Sequence, residues 1–188
     1  MALTPSSMLP LGTKAPGFSL PDTISGKTLS LDGLKGTAAT VIMFICNHCP
    51  YVKHVNPELV RVARDYGKRG VGFVAISSND AKNYPEDSPA EMKKNAGEQG
   101  YPFPYLFDES QAVAKSYQAA CTPDFFVFDR TMHLVYRGRL DESSPGNGKP
   151  LTGADLRMAL EAIVNEKPVS PDQIPSMGCN IKWANRRA

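Results

Sequence analysis

No stretch of this sequence approaches the roughly 20 consecutive apolar residues that a helix needs to span a bilayer. Residues 1–10 also lack the basic start and the continuous apolar segment of a secretory signal. These two absences lead us to expect no membrane association and a cytoplasmic location.

Net charge is small as well. The chain carries 21 Lys and Arg against 19 Asp and Glu, a formal charge of +2, which gives no reason to expect nucleic acid as a partner. Hydrophobic residues at 41% and charged residues at 21% are typical of a folded chain. At 188 residues the sequence fits one domain, which we assign to residues 1–166, followed by a C-terminal tail over 167–188.

Cysteine is scarce, with four residues in the chain. In a reducing compartment so few cysteines do not form a disulfide framework, and they are better interpreted as catalytic, redox-sensing or buried. Cys46 and Cys49 are separated by two residues, whereas Cys121 and Cys179 are isolated. Because a pair at this spacing can close a small disulfide ring, the motif predicts thiol redox chemistry.

The Cys-x-x-Cys motif follows an apolar, β-branched run over 40–45, which is typical of a strand buried on both faces of a parallel sheet. We expect a helix to begin near Asn47, which would place Cys46 at its N-terminus. Unpaired N–H groups and the helix dipole stabilise an anionic sulfur there. Cys46 is therefore predicted to have the lower pKa and to be the nucleophile, and Cys49 to attack second.

Two neighbours of the cysteines are predicted to support this chemistry. Pro50 falls in the first turn of the expected helix, where its missing N–H is not needed. His48 lies between the cysteines, and its imidazolium would stabilise the Cys46 thiolate. Stabilising the reduced form in this way makes the disulfide a stronger oxidant.

The hydrophobic pattern predicts alternating strands and helices on both sides of the motif. Beyond the strand at 40–45, it predicts β-hairpins over 18–31 and 124–137 and a strand at 71–77. Helices are expected from the motif to about Arg69, at 88–98, at 109–119 and from 152 onward. One helix between two buried strands makes a right-handed parallel βαβ unit.

This order of elements, with Thr122-Pro123 before a hairpin and a closing helix, resembles the thioredoxin fold. The lead-in at 12–18, Gly-Thr-Lys-Ala-Pro-Gly-Phe, resembles the start of the peroxiredoxin-like branch of that superfamily, which includes the AhpC/TSA and redoxin proteins. The resemblance covers roughly residues 12–165. It implies an α/β fold with a central mixed sheet flanked by helices, an N-terminal β-hairpin extension and a C-terminal tail.

The resemblance also implies a substrate-binding element. In the family, the proline before the hairpin has a cis peptide bond and faces the active cysteines, and Pro123 stands at the matching position. The Thr122 backbone groups would then be free to pair with an extended substrate segment by strand addition. An ordinary trans turn proline is the alternative interpretation.

The chain differs at three features from the thioredoxins and peroxiredoxins that it resembles. Thioredoxin has a tryptophan before the first cysteine and a buried acid in the preceding strand, where this chain has Ile45 and no acid over 40–45. Peroxiredoxins have a threonine or serine three residues before the peroxide-attacking cysteine, whereas the residue three positions before Cys46 is Met43. Disulfide exchange is therefore favoured over peroxide reduction.

We thus expect a thiol-disulfide oxidoreductase that uses Cys46 and Cys49 through a mixed disulfide and needs no cofactor. The substrate would be a protein or small-molecule disulfide held by Thr122 and Pro123. A thiol donor such as a thioredoxin or glutathione system would supply electrons. A thiol peroxidase with antioxidant activity, and a redox-sensing or metal-binding module, are the alternatives.

The two isolated cysteines bear on these alternatives. Structural zinc usually needs a second close pair, and Cys121 and Cys179 do not form one, so we expect no metal. Cys121 lies beside the expected substrate loop and could be an additional redox thiol with Cys179 as its partner. Two small buried cysteines without a redox role are the alternative.

Overall fold

The computed structural model describes residues 3–184. The strands are β1 (Leu3–Pro5), β2 (Ser19–Pro21), β3 (Thr28–Ser30), β4 (Ala39–Phe44), β5 (Val71–Ser77), β6 (Tyr105–Phe107), β7 (Cys121–Thr122), β8 (Asp124–Asp129), β9 (Leu134–Gly138) and β10 (Met177–Asn180). The helices are α1 (Leu31–Leu34), α2 (Pro50–Gly67), α3 (Pro89–Gln99), α4 (Ala112–Ser116) and α5 (Ala154–Val164), with a 3₁₀ turn at Pro85–Asp87.

A five-stranded sheet forms the centre, in the order β6-β5-β4-β8-β9. Strands β4, β5 and β6 run parallel, whereas β8 is antiparallel to β4, and β9 is antiparallel to β8. Helix α2 connects β4 to β5, which is the predicted βαβ unit. The expectation of a mixed central sheet flanked by helices is confirmed.

Strand β4 carries the motif into the middle of the protein. Each of its six residues is buried, and the side chains alternate between the two faces of the sheet. Val41 and Met43 join the core that includes residues of α2 and α5, while Ile42 and Phe44 join the core on the opposite face. Burial of each large aliphatic side chain contributes roughly 1.5–3 kcal/mol, so the end of β4 is a rigid support for the residues that follow.

The C-terminal tail corrects one expectation. The tail contains β10, which lies between β1 and β7 in a second, three-stranded antiparallel sheet. Cys179 is opposite Thr122, and Asn180 is opposite Cys121. The Thr122 segment is therefore already paired within the chain, and the expectation that its backbone groups are free for a substrate is wrong.

The other elements follow the sequence pattern closely. The hairpins β2–β3 and β8–β9 form as predicted. The helix predicted at 109–119 is reduced to α4, because Gln111 and Gln118 adopt left-handed backbone conformations with φ of 62° and 51°. Among the described residues, no helix combines the length and the apolar character that crossing a membrane requires.

Candidate functional site

The start of α2 differs from the sequence prediction. The helix begins at Pro50 and its N-cap is Cys49, so Cys46 lies in the loop that precedes the helix. The reason is Pro50 itself, because a proline disfavours the helical conformation of the residue before it. Cys49 accordingly has φ of −67° and ψ of 122°. The predictions that the helix starts near Asn47 and that Cys46 occupies its N-terminus are wrong.

Both sulfur atoms of the motif nevertheless meet at one residue, Thr122. Its hydroxyl oxygen lies 3.5 Å from Sγ of Cys46, and its carbonyl oxygen accepts a hydrogen bond of 3.2 Å from the Cys49 thiol. The Thr122–Pro123 peptide bond is cis, as the family resemblance implies. None of the four cysteines is in a disulfide in this structure, and Cys46 and Cys49 are 1% and 0% exposed.

A hydrogen bond between the Cys46 and Cys49 thiols shifts their pKa values in opposite directions. It lowers the pKa of Cys49 well below its usual range, and contacts with Cys179 and Thr122 act in the same direction. The same bond raises the pKa of Cys46, and burial raises it further. The Val52 amide in the first turn of α2 also favours the Cys49 thiolate, without the geometry of a full capping hydrogen bond. The directions of the two shifts favour a thiolate at Cys49 over one at Cys46, the reverse of the predicted order.

A carboxylate that the sequence did not single out organises the motif loop. Asp87, in the 3₁₀ turn after β5, is fully buried and lies 2.6 Å from Nδ1 of His48. It also accepts hydrogen bonds of 2.8 Å from the Asn47 amide and from the side chain of Asn79. Asp87 therefore fixes both the backbone of the motif and the ring of His48.

The same contacts set the charge of the His48–Asp87 pair. The hydrogen bond to Asp87 raises the pKa of His48, which outweighs the effect of burial. Burial opposes ionisation of Asp87, but hydrogen bonds from His48 and Asn79 still lower its pKa. A positively charged imidazolium beside Cys46 is thus stabilised, as the sequence suggested, and its partner is Asp87.

The tail is tied to this pair through two side chains. Asn79, which holds Asp87, also accepts a hydrogen bond of 2.8 Å from the backbone amide of Lys182. The ring of Tyr84 stacks on His48 at 5.5 Å, and the ammonium of Lys182 lies 5.8 Å from the centre of the same tyrosine ring. Asn79 and Tyr84, both in the segment between β5 and α3, therefore connect the tail to the His48–Asp87 pair.

A cleft of about 220 Å³ opens beside the cis proline. Its walls combine Pro123 with Tyr51 and His54 of α2 and with Met177 of the tail. Polar groups at its floor include Ser143, whose hydroxyl lies 2.8 Å from Nε2 of His54. This is a space of the size and mixed polarity that a few side chains of a peptide occupy.

The two remaining cysteines, Cys121 and Cys179, have different hydrogen-bond partners. The Cys179 thiol is hydrogen-bonded to Cys49, so it joins the motif. Sγ of Cys121 contacts the Pro123 carbonyl at 3.6 Å, and it lies beside Ser6 and Asp124. In the β7–β10 register Cys179 is opposite Thr122 and Cys121 is opposite Asn180, so the two cysteines are not directly paired. A redox pairing between them stays a prediction.

Three groups near the motif also have the chemistry of metal ligands. Cys46, His48 and Asp87 each offer one ligand atom, and these atoms lie within 4.8 Å of one another. Nε2 of His48 is buried and has no hydrogen-bond partner among residues 3–184. Asp87 and Nδ1 of His48 are bound to each other, which reduces their availability to a metal.

With this geometry established, comparison with known proteins identifies the family. Residues 11–137 match the AhpC/TSA family model. The chain belongs to the AhpC/TSA family. The expected membership of the thioredoxin superfamily, in its redoxin-like branch, is thereby confirmed.

Individual relatives agree with this assignment. Over 119 residues the chain is 30% identical to the thiol:disulfide interchange protein DsbE of Allochromatium vinosum, a match that covers 61% of this chain and 59% of that protein. An uncharacterized conserved protein from Geobacillus kaustophilus is 59% identical over 100% of this chain and 99% of its own, with a TM-score of 0.98. A thiol:disulfide interchange protein of the thioredoxin family from Chlorobium tepidum, 23% identical over 81% of this chain and 97% of its own, has a TM-score of 0.62 and shows the shared fold.

Proposed function

We propose that this chain is a thiol-disulfide oxidoreductase in which Cys46 and Cys49 alternate between a dithiol and a disulfide. The main observation in its favour is that the thiols of Cys46 and Cys49 both contact Thr122. This contact lies at the start of α2 and next to the cis Pro123. Membership of the AhpC/TSA family and similarity to a thiol:disulfide interchange protein support the proposal. The cytoplasmic location stays a prediction.

The shared proton suggests how the pair reacts. Cys49 is surrounded by Cys46, Cys179 and Thr122, whereas Cys46 belongs to the loop before α2. Cys46 attacks the substrate disulfide while its proton passes to the Cys49 thiolate, so that Cys49 serves as the base. One substrate sulfur leaves and the other forms a mixed disulfide with Cys46. Cys49 then attacks Sγ of Cys46, which breaks the mixed disulfide, and its proton passes to the second substrate sulfur as that sulfur leaves.

His48 and Asp87 support the attacking sulfur. The hydrogen bond with Cys49, burial and the charge of Asp87 all raise the pKa of Cys46. The imidazolium of His48, 2.6 Å from Asp87, offsets the charge of that carboxylate. The imidazolium also provides a proton for a leaving substrate thiolate. Asp87 acts through His48, so it is a positioning residue for this step.

Substrate recognition is assigned to the cleft beside Pro123. Strand addition at Thr122 is blocked by β10, whereas the cleft is open and reaches Pro123. Its mixed apolar and polar walls suit the side chains that flank a disulfide in a protein substrate. Reduction of the enzyme is assigned to a thiol donor such as a thioredoxin or glutathione system.

The test is a trapping experiment on the full chain with oxidised glutathione as the disulfide probe. In Cys49→Ser/Cys179→Ser, Cys46 has no neighbouring thiol to resolve it, so we expect a stable glutathione adduct on Cys46 by peptide mass spectrometry. The matched variant Cys46→Ser/Cys179→Ser should carry far less adduct on Cys49. Absence of adduct from both variants would overturn the proposed function, and an adduct confined to Cys49 would overturn the assignment of roles.

Two alternatives each have one supporting observation. Membership of the AhpC/TSA family favours peroxide reduction, in which a thiolate becomes a sulfenic acid and a neighbour resolves it. Peroxide consumption no faster than that of free cysteine would dispose of this alternative. The proximity of Cys46, His48 and Asp87 favours a metal-binding module, which metal analysis of protein purified without chelator would reveal.

A further inference from the structure

Cys179 lies in the middle strand of the second sheet, opposite Thr122. It is 3% exposed and belongs to the same core cluster as Cys46 and Cys49. The question is what a third thiol does beside the reactive pair.

Three sulfur atoms are arranged around one backbone segment. Thr122 contacts Cys46 through its hydroxyl and Cys49 through its carbonyl, and it faces Cys179 across the strand pair. Cys49 occupies the middle, since its sulfur is hydrogen-bonded to both other thiols. Cys49 therefore has two candidate disulfide partners.

The fold enforces this position of Cys179 from both sides. A Cβ at Gly178 would lie 2.0 Å from the Thr122 carbonyl oxygen, so only glycine permits so close an approach to the strand β7. On the other side, the backbone amide and carbonyl of Lys182 are bound by Asn79, Asp80 and Gln111. The tail is thus built to hold residue 179 against the motif.

Cys121 is the natural comparison, since it is the fourth buried cysteine. Successive residues of a strand point to opposite faces, and Cys121 is next to Thr122, so its side chain points away from the motif. Its sulfur contacts the Pro123 carbonyl instead. Cys121 therefore serves as an internal control: it is buried and close enough to Cys49 to respond to its charge, but its hydrogen bonds go to Ser6 and the Pro123 carbonyl.

We propose that Cys179 is a third redox-active cysteine, which exchanges with the Cys46–Cys49 disulfide to give a Cys49–Cys179 disulfide; this inference rests on the proposed function. The Cys179 thiolate attacks Sγ of Cys49. The Cys49–Cys179 bond forms as the Cys46–Cys49 bond breaks, and the electron pair leaves on Sγ of Cys46. Cys46 takes up the proton that Cys179 lost, so the exchange needs no external oxidant or reductant.

The state of Cys49 governs when this exchange occurs. In the reduced protein, burial together with the contact to Cys49 raises the pKa of Cys179 to about 12, which keeps it protonated. Once Cys49 is in a disulfide, the negative charge and the hydrogen bond that add to this shift are gone. The neighbouring ammonium of Lys182 continues to favour the thiolate. Burial, the largest cause of the raised pKa, remains in both states. The exchange is confined to the oxidised protein because it needs the Cys46–Cys49 disulfide.

The product differs from the initial disulfide in two ways. Cys46 is again a thiol that can meet a second substrate or an electron donor. In addition, β10 becomes covalently linked to the start of α2, over the Thr122 segment. Cys179, in the tail, would thus take over the disulfide that Cys46 and Cys49 form when they reduce a substrate.

The test uses the full chain with paired cysteine substitutions and diamide as the oxidant. Cys46→Ser/Cys121→Ser retains only Cys49 and Cys179, and we expect an intramolecular Cys49–Cys179 disulfide in most molecules by non-reducing peptide mapping. Two matched controls, Cys46→Ser/Cys179→Ser and Cys46→Ser/Cys49→Ser, keep Cys121 with one partner. They should form at least tenfold less intramolecular disulfide. Cys46→Ala/Cys121→Ala repeats the test with side chains that make no new hydrogen bonds.

The outcomes separate this inference from the function on which it rests. Equal disulfide yields in the test variants and in the controls would overturn the role of Cys179. The variant Cys121→Ser/Cys179→Ser, which keeps only Cys46 and Cys49, examines the proposed function alone. If this variant forms its disulfide while the Cys49–Cys179 link fails to form, the further inference falls and the oxidoreductase proposal stands.

Discussion

Nδ1 of His48 lies 2.6 Å from Oδ2 of Asp87, a carboxylate buried at the end of the loop that follows β5. This contact joins a residue inside the Cys-x-x-Cys motif to one 39 positions later. It keeps a positive charge next to Cys46 and holds the loop in which Cys46 lies.

The substitution Asp87→Asn tests that contact. Asparagine keeps the shape of the side chain but removes the charge, so the pKa of His48 should fall toward its ordinary value. A histidine NMR titration measures this directly. Glu86→Gln, the same change on the exposed neighbour, should leave the His48 titration unchanged. An equal His48 pKa in wild type and Asp87→Asn would contradict the assigned pairing.

The contact between Cys179 and Cys49 makes a separate prediction about acidity. Because the Cys179 thiol donates a hydrogen bond that favours the Cys49 thiolate, Cys179→Ala should raise the pKa of Cys49. Cys179→Ser retains a donor and should restore part of the shift. Thiolate absorbance followed against pH in a Cys121→Ser background gives the comparison. Identical curves for the alanine and serine variants would show that the hydrogen bond has no effect.

Gly178→Ala should loosen the tail. The added methyl group would lie 2.0 Å from the Thr122 carbonyl oxygen, so β10 must shift. We expect a loss of roughly 1–3 kcal/mol in unfolding free energy, together with faster alkylation of Cys46 and Cys49. Gly17→Ala is the matched control, since a Cβ there meets nothing within 4 Å. Unaltered alkylation rates in Gly178→Ala would mean that β10 does not protect the cysteines.

Asp124 predicts a pH dependence of stability. Burial raises its pKa to about 7 from 3.8, although the Ser6 hydroxyl and the Ala120 amide bond to it. The folded state thus binds a proton that the unfolded state has released, and unfolding free energy falls as pH rises from about 4 to about 7, by at most roughly 4 kcal/mol.

Asp124→Asn should remove this slope, because an amide can accept from Ala120 and donate to Ser6 without titrating. Urea unfolding at a series of pH values measures the effect. The exposed change Asp172→Asn should leave the wild-type slope in place. A slope that survives in Asp124→Asn would show that another group is responsible.

The fold was accessible from the sequence where burial leaves a local pattern. The apolar run at 40–45 and the two strand-like segments joined by a short turn over 124–137 are such patterns, and both form strands of the central sheet. The cis bond before Pro123 came from the family resemblance, since composition does not reveal it.

The details of the site were harder to predict, for physical reasons. The start of α2 at Pro50 does have a signal in the sequence, because a proline disfavours the helical conformation of the residue before it, here Cys49. Strand β10 has four residues, too few for a periodic pattern, and it exists because of its neighbours β1 and β7. Asp87 is in a proline-rich loop, and its burial depends on contacts distant in sequence.

The most direct test of the central claim is a redox titration of Cys121→Ser/Cys179→Ser, which retains only Cys46 and Cys49. Protein equilibrated in dithiothreitol buffers of graded potential is alkylated and its thiols are counted by mass spectrometry. We predict one two-electron transition between a dithiol and an intramolecular Cys46–Cys49 disulfide. Thiols that persist across the whole range, or oxidation to intermolecular dimers alone, would contradict the account.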